Sequence, residues 1–175
     1  MAVQGLECGT TGMFALGLGH LQAQNLSEAV TTLEEAARLM DTLPGMKDFM
    51  PRVRATHAIA RLLSGHSEAL DELEQALAHT QALGDQYWVA FISQYLGEAH
   101  TELGNLERAE EYFNAAAAYY RSTGLYPSLA RVLQSLGMLY ERQGRGADAA
   151  HAREEAQRLA SQLHGPAASP ERSPQ

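Results

Sequence analysis

The chain has 175 residues and a formal charge of −8, from 13 Lys and Arg against 21 Asp and Glu. An acidic chain without a Lys/Arg cluster lacks the footprint of phosphate-backbone binding, so nucleic acid is excluded as an expected partner. The single cysteine, Cys8, excludes an intrachain disulfide and a Cys-rich zinc site, and no run of eighteen apolar residues is present to span a membrane. The first basic residue, Arg38, follows the apolar run Met13-Phe14-Ala15-Leu16, the reverse of a secretory leader's order. The expected location is therefore cytoplasmic.

Apolar residues recur at helical spacing through most of the chain, with no strand-like alternation. Four helix pairs are expected, over about 10–45, 50–84, 90–124 and 130–164. The third is the most regular. Trp88, Ile92, Leu96, Ala99 and Leu103 share one face of its first helix, and Leu106, Ala109, Phe113, Ala116 and Tyr120 share one face of its second. A tight turn at Gly104-Asn105 makes the two antiparallel neighbours. Asn25 followed by Glu28 has the spacing of a capping box. Pro44-Gly45, Gly84, Gly124 and Gly165 sit where second helices should stop. Residues 165–175, GPAASPERSPQ, carry three prolines and little that could join a core, so a disordered tail is expected.

The pairs share a register of forty residues. Ala29, Ala69, Ala109 and Ala149 form one column; Ala36, Ala76, Ala116 and Ala156 form another. Leu16-Gly17, Leu96-Gly97 and Leu136-Gly137 keep the same step, with Leu33, Leu73 and Phe113 between the alanines. Small residues let helix backbones approach, and the large one fills the adjacent groove. The second pair departs from the pattern: Thr56-His57 stand where Leu-Gly belongs, and Gly65 comes one residue late. In the fourth, Arg153 replaces the large apolar residue.

On these residues the chain resembles the tetratricopeptide repeat family, and its forty-residue period is similar to the long-helix variety found in bacterial signalling and transcription regulators. The resemblance covers about residues 10–164. It implies an all-α fold, a right-handed α–α superhelical solenoid of four helix pairs and eight antiparallel helices, forming a single domain over 1–164. It also places His20 and His100 in an aromatic packing column.

Chemistry finds little support in the sequence. There is no HExxH, no paired His at i, i+4 and no Cys/His ligand spacing. His57 and His66 flank the irregular second unit, at positions open to the groove or to solvent. The acidic pairs Glu34-Glu35, Asp71-Glu72, Glu110-Glu111 and Glu154-Glu155 lie on second helices, where a solvated outer face accounts for them. The glycines near the N-terminus lack the strand and Lys-Ser/Thr ending of a phosphate loop. Neither a catalytic residue, a metal site nor a cofactor is expected, and the chain reads as a non-enzymatic module.

Binding is the expected function. A stack of helix pairs makes a concave surface lined by first helices. The resemblance assigns Phe14, Leu18, Arg54, Arg61, Gln94, Glu98, Thr101, Arg131, Gln134 and Glu141 to that groove. A protein partner entering as an extended peptide or a helix suits this mixture, as part of a scaffold or sensor in a larger regulator. A small-molecule-sensing domain and a self-associating homodimeric adaptor are the alternatives. The basic-plus-asparagine clamp that grips chaperone C-termini is not expected, because Phe14 and Leu18 cannot donate to a carboxylate. Only Glu7 is charged among residues 1–27. Terminal repeats need a polar outer face, so an upstream domain or a second copy is expected to cover this end.

Overall fold

The structure is a computed structural model that describes the backbone of residues 2–163 and the side chains of residues 8–162. Eight α-helices occupy the described residues: α1 Ala2–Gln22, α2 Leu26–Asp41, α3 Met50–Leu63, α4 Ala69–Ala82, α5 Gln86–Glu102, α6 Leu106–Thr123, α7 Tyr126–Arg142 and α8 Gly146–Leu163. A single 3₁₀ turn, Pro44–Met46, follows α2. The tail at 165–175 and the stop expected at Gly165 lie outside the described residues.

Each helix packs on its predecessor and successor, as short turns require. The first helices also touch one another in series, α1 on α3, α3 on α5 and α5 on α7, with no comparable contact between successive second helices among the described residues. First helices therefore form the inner, tighter layer of a curved stack. Burial follows the sequence columns. All eight alanines of the two columns are buried, with Leu33, Leu73 and Phe113 between them.

The Leu-Gly step has a steric reason. A methyl group at Gly17 would lie 2.6 Å from Leu33 Cγ, and one at Gly97 would lie 2.7 Å from the Phe113 ring. At Gly137 the neighbour is the Cγ of Arg153, 3.0 Å away. Arg153 thus fills the large-residue site with its aliphatic stem, and its guanidinium reaches out to Glu141.

Two expectations at helix ends need correction. Asn25 precedes α2, but its side chain makes no capping hydrogen bond; the first turn is tied instead by Ala29 N–H donating to the Asn25 carbonyl at 2.9 Å. Asp85 is the capping side chain that forms, accepting from Trp88 N–H at 3.4 Å and from Arg52 Nε at 2.8 Å. The stop after α2 is made by the 3₁₀ turn, with no left-handed glycine. The left-handed position of the first turn falls on Gln24, at φ +62°.

The second unit is irregular because its first helix is displaced by one residue. Gly65 and Gly104 are the left-handed residues that end α3 and α5, and they are 39 apart (104 − 65). On that step His57-Ala58, not Thr56-His57, takes the place of Leu96-Gly97. Ala58 is fully buried there, as its small size allows. Thr56 is buried too, its hydroxyl donating to the Arg52 carbonyl at 2.8 Å.

Candidate binding groove

The inner layer carries a polar track across its middle. Gln94 of α5 has no exposed surface. Its Oε1 accepts from Arg131 Nη2 of α7 at 3.2 Å, and its Nε2 donates to Glu98 Oε1 at 3.2 Å. A buried amide is thus satisfied on both ends by charged neighbours. Burial raises the Glu98 carboxyl above its usual range, opposed by the Gln94 hydrogen bond and by Arg131. Burial also raises the phenol of Tyr95, with Arg131 acting against it.

Beside this track a half-open cavity of about 480 Å³ lies between α3, α5 and α7. Ile59, Leu62 and Leu63 form one wall; Glu98, Thr101 and Leu103 form another; Ser135, Met138 and Arg142 close the third side. Leu103 is 54 % exposed and Met138 56 %, so the rim offers apolar surface to solvent. Leu103 does not join the packed face assigned to it from spacing. Arg142 is already committed: Nη1 donates to the Thr101 carbonyl at 2.8 Å and Nη2 to Glu102 Oε1 at 3.2 Å.

Of the ten groove residues read from the sequence, Gln94, Glu98 and Arg131 come together in the track, and Thr101 joins Glu98 in the cavity. The others separate. Phe14 is buried, its ring edge-on to Phe49 at 5.1 Å and tilted against Trp88 at 5.9 Å, so it is a core residue. Leu18 packs half-buried against the same core. Arg54 faces the α2 and α4 side, 3.9 Å from Asp41, in a shallow depression with His79 and Leu83. Arg61 is held by Glu72 at 2.6 Å and Glu68 at 2.9 Å. Both arginines miss the groove because of the one-residue displacement of α3. On the 39-residue step Glu98 and Thr101 correspond to Ile59 and Leu62, the residues that do line the cavity. The late Gly65 was the signal for this. Gln134 lies with Met138, Arg153 and Gln157 toward α8, and Glu141 is tied to Arg153.

The histidines of the aromatic column are packing residues. His100 is buried and stacks on Tyr112 at 5.5 Å and 10°, and His20 is half-buried. Burial holds His57 below its usual range, and Arg61 adds to the effect. The acidic pairs are more engaged than a solvated face requires: Glu110 takes Arg145 at 2.8 Å, and Glu155 takes Arg121 at 3.0 Å. Among the described residues no group of three His, Cys, Asp or Glu side chains is placed to hold a metal ion, and no helix is long and apolar enough to cross a membrane.

No family model and no curated protein matches the chain in sequence. Solved structures match in fold. BtubC from P. vanneervenii superposes with a TM-score of 0.72 at 19% identity, over 95% of this chain and 68% of its own. Aspartyl phosphate phosphatase F from Bacillus subtilis gives 0.77 at 13% identity, over 91% of this chain and 42% of its own, so the chain spans less than half of that protein. A kinesin light chain of nearly identical TPR-like repeats from Podospora anserina gives 0.52 at 16% identity, over 89% of this chain and 97% of its own. With eight described helices in four pairs and these neighbours, the chain has an all-α, tetratricopeptide-like solenoid fold.

Proposed function

We propose that the chain is a non-enzymatic interaction module that binds a peptide or helix of a partner protein along its inner face. In this reading it is the scaffold or sensor part of a larger cytoplasmic signalling or transcription regulator, of the long-repeat variety. The observation that carries it is the joining of a solvent-open apolar cavity to a preorganised polar track, Arg131–Gln94–Glu98, on one layer of first helices. Apolar depth with a few fixed polar groups gives affinity and orientation together. Affinity capture with wild type beside an Arg131→Glu variant tests the assignment. Partners lost from the variant support it; identical partner sets overturn it.

A second contact is favoured by one observation. Leu16 is 55 % exposed, whereas its register mates Leu96 and Leu136 are 0 % and 3 % exposed. In the proposed reading α1 is covered by a second copy or by an upstream domain of a longer protein. Light scattering tests the first alternative: a concentration-independent monomer removes the homodimer.

A further inference from the structure

The cavity has a shape and a charge that its own side chains leave uncompleted. Its volume of about 480 Å³ lies within the roughly 300–1,000 Å³ of clefts that bury a small ligand, and so has ample room for one bulky apolar side chain. Leu63, Leu103 and Met138, each well exposed, converge on its rim, where an apolar side chain would displace water from all three at once. The charged residues lining it are Glu98, Glu102 and Arg142. Arg142 is spent on Glu102 and the Thr101 carbonyl. Arg131 reaches Glu98 by way of Gln94, since its Nη2 donates to the amide oxygen. Glu98 is therefore the lining charge without a guanidinium bound directly to it; the lining groups, two carboxylates and one guanidinium, leave one negative charge in excess, with Arg131 acting on Glu98 from the track alongside.

We infer that this cavity is the anchor subsite of the groove: it takes one bulky aliphatic or aromatic side chain of the partner segment, and a Lys or Arg within a turn of that anchor pairs with Glu98. The inference rests on the peptide-binding reading of the inner face and specifies its partner. Charge complementarity selects a basic neighbour over an acidic one, which would meet both Glu98 and Glu102. Met138 and Leu103 suit an anchor of variable shape, Met because its thioether chain repacks readily.

The test is a selection of random twelve-residue peptides displayed on phage against the immobilised full chain, followed by binding measurements with the enriched peptides as synthetic probes. Three single variants serve as controls: Ala99→Phe, which fills the cavity; Leu103→Ser, on the exposed rim and harmless to the core; and Glu98→Gln. Enriched peptides should carry a bulky apolar residue with Lys or Arg within four positions. Binding should fall about tenfold or more in Ala99→Phe and Leu103→Ser, as for loss of a buried anchor. In Glu98→Gln the preference for Lys over norleucine at the basic position should vanish. Peptides that bind wild type, Ala99→Phe and Leu103→Ser equally, or that are enriched in acidic residues beside the anchor, overturn the inference. If those peptides are still lost in Arg131→Glu, the groove reading survives without the subsite. Selection that enriches no peptide overturns both.

Discussion

Gly97 of α5 faces the ring of Phe113 of α6 so closely that a methyl group at 97 would lie 2.7 Å from both Cδ1 and Cε1. Two effects oppose each other in Gly97→Ala. Helix propensity favours alanine by about 1 kcal/mol, while overpacking a tight contact costs about 1–3 kcal/mol. The 2.7 Å contact falls on the buried Phe113 ring and not on the end of a flexible chain, so ring or helix must shift and the steric term wins. Gly97→Ala should lower the urea midpoint. Gly12→Ala on the open side of α1, where an added methyl meets nothing within 4 Å, should raise it.

Gln24 holds φ +62° at the turn between α1 and α2, the place taken by glycine at 104 and 144. A side chain in the left-handed region costs about 1 kcal/mol relative to glycine. Gln24→Gly should therefore raise the melting temperature by a few degrees, and Gly104→Ala or Gly144→Ala should lower it. Equal melting of Gln24→Gly and wild type in calorimetry would show that the turn has relaxed by another route.

These two sites also show what sequence could and could not supply. The Leu-Gly step, the alanine columns and the turn glycines are short-range features with fixed offsets, so the helix pairs and most of the core were legible. The groove was legible only where the register held. Gln94, Glu98, Thr101 and Arg131 lie together around the track and the cavity, with Gln94 itself buried, but a single residue displaces α3 and turns it by about 100°, enough to put Ala55 and Leu62 where Arg54 and Arg61 were expected. Phe14 failed differently. A groove position on a terminal helix still lets a large ring turn inward, and only the neighbouring Phe49 and Trp88, distant in sequence, decide that it does.

Glu98 should make stability depend on pH. Burial raises its folded pKa above the ordinary 4.5, so the folded chain holds this proton more tightly than the unfolded chain. Below 4.5 both states are protonated and the group is neutral in effect. As pH rises through the folded value, the native state must ionise a half-buried carboxyl, and stability is lost. Glu98→Gln should then gain on wild type between pH 4.5 and neutrality in urea titrations. A gap that stays constant with pH would remove burial as the governing cause.

His100 leaves Nε2 buried without a hydrogen-bond partner. Glu74 Oε1 lies 3.4 Å away, near enough for an ion pair but not in hydrogen-bonding geometry. An unsatisfied buried polar atom costs about 1–3 kcal/mol. His100→Phe keeps the stack on Tyr112 and should raise the urea midpoint at neutral pH; a fall would mean that the Glu74 contact outweighs the desolvation.

The inner layer is joined helix to helix by packing, with Arg142–Glu102 and Arg131–Gln94 added between α5 and α7, whereas the outer layer is joined across its gaps by Arg108–Glu74 and Arg121–Glu155, with Arg145–Glu110 tying the α7–α8 turn back to α6. The outer rungs of the stack thus depend on charge pairs, whereas its inner spine is held mainly by packing. Exposed pairs weaken as the Debye length shrinks to about 3 Å at 1 M salt, while apolar packing does not. Raising salt should broaden the range of curvatures without melting a helix, seen as a shifted small-angle scattering profile at constant circular dichroism. An unchanged profile would assign the curvature to the spine alone.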